Sequence, residues 1–412
     1  MPKLAVVGAG IVGLCCAWSA RQRGWDVTLI DRDFEGDRAS HGNAGGIAVS
    51  ECLPLRLSGL GLKPLRWLID PLGPLSIRIG HAPALFPWWR ALRKVSEPHH
   101  YQRIALALAA LNRSCLTDFE ALLSDLGMRS ALHREGALAV YESEAGFAKD
   151  GADWELKRQL GMRFQVLGQD ALAALEPGLL PVFPRGVLLE DWAHVDDPFA
   201  IVVALRERAK AQGAELVTGE VRALDLAATD RPAAILSDGR RIERDRLVVS
   251  AGAWSALLAR SAGDRVLLES ERGYNTTLPA SAGLLRREVI FAERQFVATP
   301  LSLGLRIGGA AEFAGLHAPP NYRRSRALLE LGRRYLRDLD ERGAREWMGQ
   351  RPTTPDSLPV IGPSKVSDHL LYAFGHGHLG LTQAATTGEM IGALLAGDPP
   401  HVALDPYSIG RF

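Results

Sequence analysis

Hydrophobic and polar positions follow several patterns along this chain, and each change of pattern marks a predicted element. The first 31 residues run as a continuous apolar stretch, LAVVGAG, then a helical stretch, IVGLCCAWSARQRG, then a second apolar stretch, WDVTLID. A short run without alternation is the pattern of a strand buried on both faces, so a parallel βαβ unit is predicted, with a glycine turn at the sheet's carboxyl edge. From about Ser50 to Ser96 the chain is rich in Leu, Trp, Gly and Pro, which predicts short helices separated by proline breaks. Tyr101 to Leu126 carries Ile104, Leu108, Leu111, Leu116, Phe119, Leu122 and Leu123 at helical spacing, predicting one long amphipathic helix. GALAVY, at 136–141, reads as a strand, and a second helical stretch follows near 144–160.

Alternating elements then return: a helix from Pro198 to Gln212, strands in AELVTGEVRALDL, and a buried strand in RLVVSAG. Between Val266 and Gly309 the alternating runs predict an antiparallel meander, followed by a helix from Tyr322 to Asp338. The last portion predicts loop, strand, glycine turn and helix, a second turn at a sheet edge.

Length changes this picture by predicting two domains, since 412 residues exceed the usual size of one core. Hydrophobic residues at 47% and charged residues at 23% describe a chain that folds throughout. With 48 basic against 47 acidic residues there is no field to attract polyanions, and no nucleic-acid partner is expected. Cys15, Cys16, Cys52 and Cys115 form no CxxC pair, so their spacing points neither to a disulfide framework nor to a zinc site. The N-terminus enters its first strand without a charged leader, so a cytoplasmic location is expected. No stretch approaches the roughly 20 apolar residues that span a bilayer.

Gly8, Gly10 and Gly13 supply GxGxxG between strand and helix: a tight turn, backbone access for a pyrophosphate, and close helix–sheet packing. Ile11 and Val12 lie within the same turn. Asp31 ends the second strand, where its carboxylate can accept hydrogen bonds from both ribose hydroxyls of an adenosine, and Arg32 follows it. The motif admits FAD or NAD, while the acidic residue disfavours NADP.

Five further segments decide between them: RASHGNAGGI (38–47), LVVSAGAWS (247–255), ERGYNTTLP (271–279), RPTTPDSLPVIGPS (351–364) and GHGHLGLTQAATTG (375–388). In this order they resemble the D-amino-acid oxidase superfamily, particularly its bacterial D-amino-acid dehydrogenases, over nearly the whole chain. The resemblance implies an α/β fold: a Rossmann-like FAD-binding domain with a parallel sheet, from 1–50, 191–260 and 350–412. It also implies an α+β substrate domain with an antiparallel sheet, from 51–190 and 261–349. FAD is expected to be non-covalent, because no cysteine follows Cys115.

By the same resemblance Ser40, His41, Asn43, Ala44, Gly45, Gly46 and Ile47 pass the pyrophosphate and reach the flavin, where small residues permit close backbone approach. Val221 faces adenine, and Ala251 and Gly252 adjoin the cofactor. Gly375, His376, Gly377, Leu379, Gly380 and Thr382 match the flavin-edge loop, whose helix N-terminus would stabilise negative charge on the reduced ring.

Arg351 matches the family's carboxylate-binding arginine, a planar fork suited to two parallel charge-assisted bonds. Tyr274 is a second candidate donor to that carboxylate, or a half-buried strand tyrosine. His378 either shapes the pocket or is an exposed turn histidine, and neither it nor His376 is assigned as a base. The implied reaction is hydride transfer from Cα to flavin N5. No acidic pocket residue stands out, which favours neutral or cyclic amino acids such as D-proline and 4-hydroxy-D-proline. A quinone or carrier protein is the expected electron acceptor. An oxygen-using oxidase of the glycine or sarcosine type, and a non-catalytic FAD-binding subunit, are the alternatives. Residues 53–80 either touch a membrane surface peripherally or pack between domains.

Overall fold

The computed structural model describes residues 1–36, 38–55, 73, 75–226 and 231–412. Lys3–Val7, Ile11–Gln22 and Asp26–Asp31 form the predicted strand–helix–strand unit. Among the described residues these strands lie within a six-stranded sheet in the order Glu215–Thr218, Asp26–Asp31, Lys3–Val7, Arg246–Val249, Leu370–Phe374, Val360–Pro363. The first five are parallel, and Val360–Pro363 pairs antiparallel at the edge. Leu4, Ala5, Val6, Leu247, Val248 and Val249 are wholly buried, which is why their segments read as unbroken apolar runs.

The turn after the first strand needs its glycines. Gly8 has φ +106°, and a Cβ on Gly13 would lie 1.9 Å from the Gly8 carbonyl oxygen. The helix Ile11–Gln22 is apolar nearly all round because Gly380–Ala396 packs along it, with Gly388 against the Cys15 backbone. All four cysteines are buried and free, and burial pushes the Cys52 thiol up to about 11 and the Cys115 thiol up to about 12.

Among the described residues a second sheet holds nine strands. Its path runs Arg345–Thr353, Glu269–Leu278, Gly304–Phe313, Phe296–Leu301, Glu288–Phe291, Ala137–Tyr141, Arg185–Leu189, Phe164–Gly168, with Leu75–Ile77 beside Gly304–Phe313. Pairing is antiparallel except where Glu288–Phe291 meets Ala137–Tyr141 and where Leu75–Ile77 joins. The predicted meander is therefore only partly sequential: Glu269–Leu278 skips its successor to pair with Gly304–Phe313 and Arg345–Thr353.

The predicted helix from Tyr101 to Leu126 is two, Pro98–Asn112 and Cys115–Asp125. Buried Asn112 donates to the Glu51 carbonyl and accepts from Gln383, while Asp118 accepts from Thr386, so both halves are fastened to the helix Gly380–Ala396. Both halves keep one apolar period, and the period alone does not show the turn between them. Of the proline-broken helices expected over 50–96, Phe86–Val95 is present; residues 56–72 and 74, with most of the proposed membrane-facing segment, lie outside the described residues. No helix among the described residues is long and apolar enough to cross a membrane.

Because the atom that a Gly13 side chain would strike is backbone, Gly13→Ala should lower stability by about 3 kcal/mol. Chemical denaturation tests this; unchanged stability would show that the helix can lift from the sheet at no cost.

Candidate active site

Three turns meet where the two sheets face each other. One is the glycine turn after Lys3–Val7, the second is Ser250–Gly252 beyond Arg246–Val249, and the third is the loop 375–380 before the closing helix. Residues 38–55 cross between the sheets above these turns. Ser40 Oγ accepts from the Ile11 amide at 3.0 Å, satisfying one orphan donor of the first helix. Asn275 and Arg306 of the large sheet donate to the Gly42 and Asn43 carbonyls, and Thr382 accepts from the Ala48 amide at 2.9 Å. The crossing segment is thus pinned from both sides.

A continuous cavity of about 1760 Å³ follows this segment. Ordinary small-molecule pockets measure about 300–1,000 Å³, so there is room for an extended dinucleotide together with a substrate. At one end Gly8, Gly10, Ile11, Val12, Asp31, Arg32, Val221, Ala251 and Gly252 line it; along its length come Ser40, Asn43, Ala44, Gly45 and Gly46. At the far end are His376, Gly377, His378, Leu379, Gly380, Tyr274 and Arg351. Asp31 already accepts from the Ala9 amide at 2.7 Å and pairs with Arg38 at 3.2 Å, and Arg32 stacks over Trp254 at 4.0 Å.

Five expected cofactor residues do not line the cavity. His41 packs its ring on Phe199, with centroids 4.5 Å apart. Ile47 is wholly buried in a short strand, Gly13 and Gly375 hold turns, and Thr382 fastens the crossing segment. Each supports a neighbour that reaches the cavity.

Arg351 sits on Arg345–Thr353 directly opposite Glu271. Its Nη1 donates to Glu271 Oε1 at 2.7 Å, and Thr353 Oγ1 donates to Glu271 Oε2 at 3.2 Å. The guanidinium lies over Gly273, where a Cβ would approach Cζ and Nη2 to 2.4 Å. Among the described residues Nε and Nη2 have no hydrogen-bond partner, and the side chain keeps 27% exposure. A cation anchored along one edge and open along the other is suited to a second carboxylate.

Tyr274 does not fill the role expected of its hydroxyl. Strand alternation turns Glu271, Gly273 and Asn275 to the cavity side, and the Tyr274 hydroxyl away from it, where it donates to Glu312 and accepts from the Asn321 amide. Burial, reinforced by Glu312, pushes its pKa up to about 12. His378 lines the cavity from an exposed turn position, and desolvation there holds its pKa below the ordinary histidine value; Arg351 reinforces this, while Glu51 and Glu271 oppose it. His376 is buried against Thr387 Oγ1 at 3.0 Å, and desolvation lowers its pKa to about 3.

The cavity also contains acidic groups that sequence reasoning missed. Glu51 pairs with Lys157 at 3.5 Å and Glu271 with Arg351, so each has a cationic partner at the wall. The expectation that no acidic pocket residue stands out is therefore corrected, although the charges of Glu51 and Glu271 are compensated. Period-two alternation within ERGYN would have singled out Glu271 and Gly273 over Tyr274. Glu288 is buried at 4% exposure, and its Oε2 has no hydrogen-bond partner. That oxygen lies 2.2 Å from where a Cβ on Gly46 would stand, and burial pushes the pKa up to about 8.

A nucleotide-holding parallel sheet, joined across one elongated cavity to a mixed sheet bearing an anchored arginine, defines a two-sheet dinucleotide-dependent oxidoreductase. The chain belongs to the FAD dependent oxidoreductase family, whose sequence model matches residues 3–394. Its cofactor is FAD, and it is an enzyme of that class. It is 34% identical to a D-amino-acid oxidase of Bradyrhizobium diazoefficiens, with 99% of this chain and 98% of the relative covered. It is 30% identical to a D-amino acid dehydrogenase of Rhizobium johnstonii, with both chains fully covered. Glycine oxidase from Geobacillus kaustophilus has the same fold, with a TM-score of 0.80 at 19% identity over the whole of both chains. Iminodiacetate oxidase from Chelativorans sp. BNC1 gives 0.74 at 21% identity over 98% of each.

An unfolded glutamate ionises near 4.5, whereas folded Glu288 keeps its proton to about 8. Between these values the unfolded chain binds fewer protons, so this group lowers stability as pH rises from 4.5 to 8. Glu288→Gln should therefore gain stability over the parent across that window, by on the order of a few kcal/mol at pH 8.5, with little difference at pH 4.5. Thermal midpoints of both proteins across the range check this, and parallel curves would contradict it.

Proposed function

We propose that this enzyme oxidises the Cα–N bond of a D-configured or cyclic amino acid with a neutral side chain, holding the substrate carboxylate on the open edge of Arg351. The observation that carries the reading is the half-satisfied guanidinium. Glu271 fixes its plane, Gly273 gives it room to lie flat, and Nε and Nη2 face the cavity without a partner among the described residues. Two parallel bonds to a carboxylate set direction as well as position, which oxidation at Cα requires.

Non-covalent FAD, when bound, supplies the two-electron acceptor that takes hydride from Cα at flavin N5. In this reading segments 1–50, 191–260 and 350–412 hold the cofactor, and 51–190 and 261–349 shape the substrate side. Gly8, Gly10, Ile11 and Val12 lie along the pyrophosphate, and Ser40 to Gly46 with His376 to Gly380 surround the flavin. His378 contributes a neutral imidazole to the wall near Arg351. Pairing of Glu51 with Lys157 supports a neutral substrate side chain, D-proline and 4-hydroxy-D-proline included. The imino acid product of a primary amine hydrolyses in water to a keto acid and ammonia. Relatives named for D-amino acids support the configuration. Three named dehydrogenases support a quinone or carrier protein as electron acceptor, and the relative named an oxidase keeps oxygen as the second reading.

Anaerobic mixing of the holoenzyme with paired D- and L-amino acids, D-proline, 4-hydroxy-D-proline, glycine and sarcosine tests this. Loss of flavin absorbance with neutral D-amino acids and none with their L-forms is expected; no loss with any amine would overturn the reading. Peroxide formation in air would transfer the acceptor role to oxygen. Arg351→Lys should lower kcat/KM by about a hundredfold or more with flavin content unchanged, because a point charge cannot reproduce the fork.

A further inference from the structure

Outside the cavity, a small antiparallel sheet brings together side chains that the oxidation does not use. Ala193–Val195 is its middle strand, with Gly46–Ile47 on one side and Leu132–His133 on the other. His133 lies directly opposite His194 in the register, and their rings stack with centroids 5.0 Å apart and planes 21° apart. Glu135 follows His133 by two residues, and one ligand atom from each of the three side chains lies within 4.8 Å of the others. An i, i+2 pair on one segment facing a cross-strand partner is a geometry that directs three donors to one point above a sheet.

Two further contacts favour a ligand there. His133 Nε2 is hydrogen-bonded to Asp196 Oδ1 at 2.5 Å, which orients the ring and leaves Nδ1 as its open nitrogen. His194 is 3% exposed, yet its Nδ1 has no hydrogen-bond partner. A buried imidazole nitrogen without a partner is costly unless something fills the gap. Arg287 borders the cluster: its Nη1 donates to the Glu135 carbonyl at 2.5 Å, while its Nε is paired with Glu176 at 2.8 Å, which partly neutralises its charge.

We propose that His133, Glu135 and His194 bind one divalent transition-metal ion, of the zinc or nickel class, with water completing the coordination. Two imidazoles and one carboxylate suit borderline cations, whereas magnesium and calcium prefer oxygen donors throughout. Ligand atoms of a tetrahedral site stand roughly 3.3 Å apart, so the side chains close on the ion by rotation. The ion cross-links Leu132–His133 to Ala193–Val195, whose other edge pairs Gly46 with His194. It thereby stiffens the segment that crosses the cavity without entering the cavity, and it is independent of which substrate is oxidised.

Tag-free holoenzyme, stripped with a chelator and desalted, is titrated with zinc chloride by calorimetry and followed by thermal unfolding. One ion per chain and a thermal midpoint that rises with zinc are expected, with no response to magnesium chloride. Glu135→Gln, at an exposed position, should weaken binding about tenfold, and His133→Ala should abolish it, both with flavin content and amino-acid-driven flavin reduction retained. Absence of stoichiometric zinc binding, or binding indifferent to both substitutions, would overturn the site.

Discussion

The ion pair between Arg351 and Glu271 is the constraint on which the functional architecture rests. A guanidinium at a partly buried wall must be paired, yet a fully paired one has nothing left to offer a substrate. Register resolves the conflict by placing Glu271 opposite Arg351, where it engages Nη1 and leaves Nε and Nη2 to the cavity. Gly273 removes the side chain that would otherwise occupy the plane of the fork. The same strand pair sends Tyr274 to the other face, where Glu312 absorbs its hydroxyl.

The arginine becomes useful only because the crossing segment brings the cofactor's expected path to it. Residues 40–48 carry few side chains large enough to hold themselves in place, so their position is imposed by hydrogen-bond partners from elsewhere. Asn275 and Arg306 reach from the large sheet, Thr382 from the closing helix, and Ser40 returns a cap to the first helix. Gly377 is tied in turn to the Pro352 carbonyl at 2.9 Å, one residue beyond Arg351, so the loop 375–380 and the strand bearing Arg351 are mechanically joined. Glu288, neutral at pH 7 and pressed against Gly46, is tolerated in the same layer because it need not carry charge there.

Local patterns in the sequence were sufficient for the elements that depend on local burial. The unbroken apolar strands, the Gly8–Gly13 turn and the closing strand–turn–helix all express a period or a backbone demand within a dozen residues. Pairings across long separations were not readable. The Glu271–Arg351 pair spans 80 residues, and His133 meets His194 across 61. The long helix expected over 101–126 divides between Asn112 and Cys115, a break that its single apolar period conceals. His41 was drawn to the site by motif but packs on Phe199, and Tyr274 lines the cavity while its hydroxyl turns away to Glu312. Cysteine spacing, similarly, carried no trace of a histidine cluster assembled by strand register.

The most direct measurement compares a neutral D-amino acid with its carboxamide in anaerobic flavin reduction, using the parent enzyme and Arg351→Met. If the open edge of Arg351 holds the carboxylate, the parent reduces about a hundredfold or more slowly with the amide, and the gap between acid and amide closes in Arg351→Met. Equal reduction of the parent by acid and amide would contradict the account.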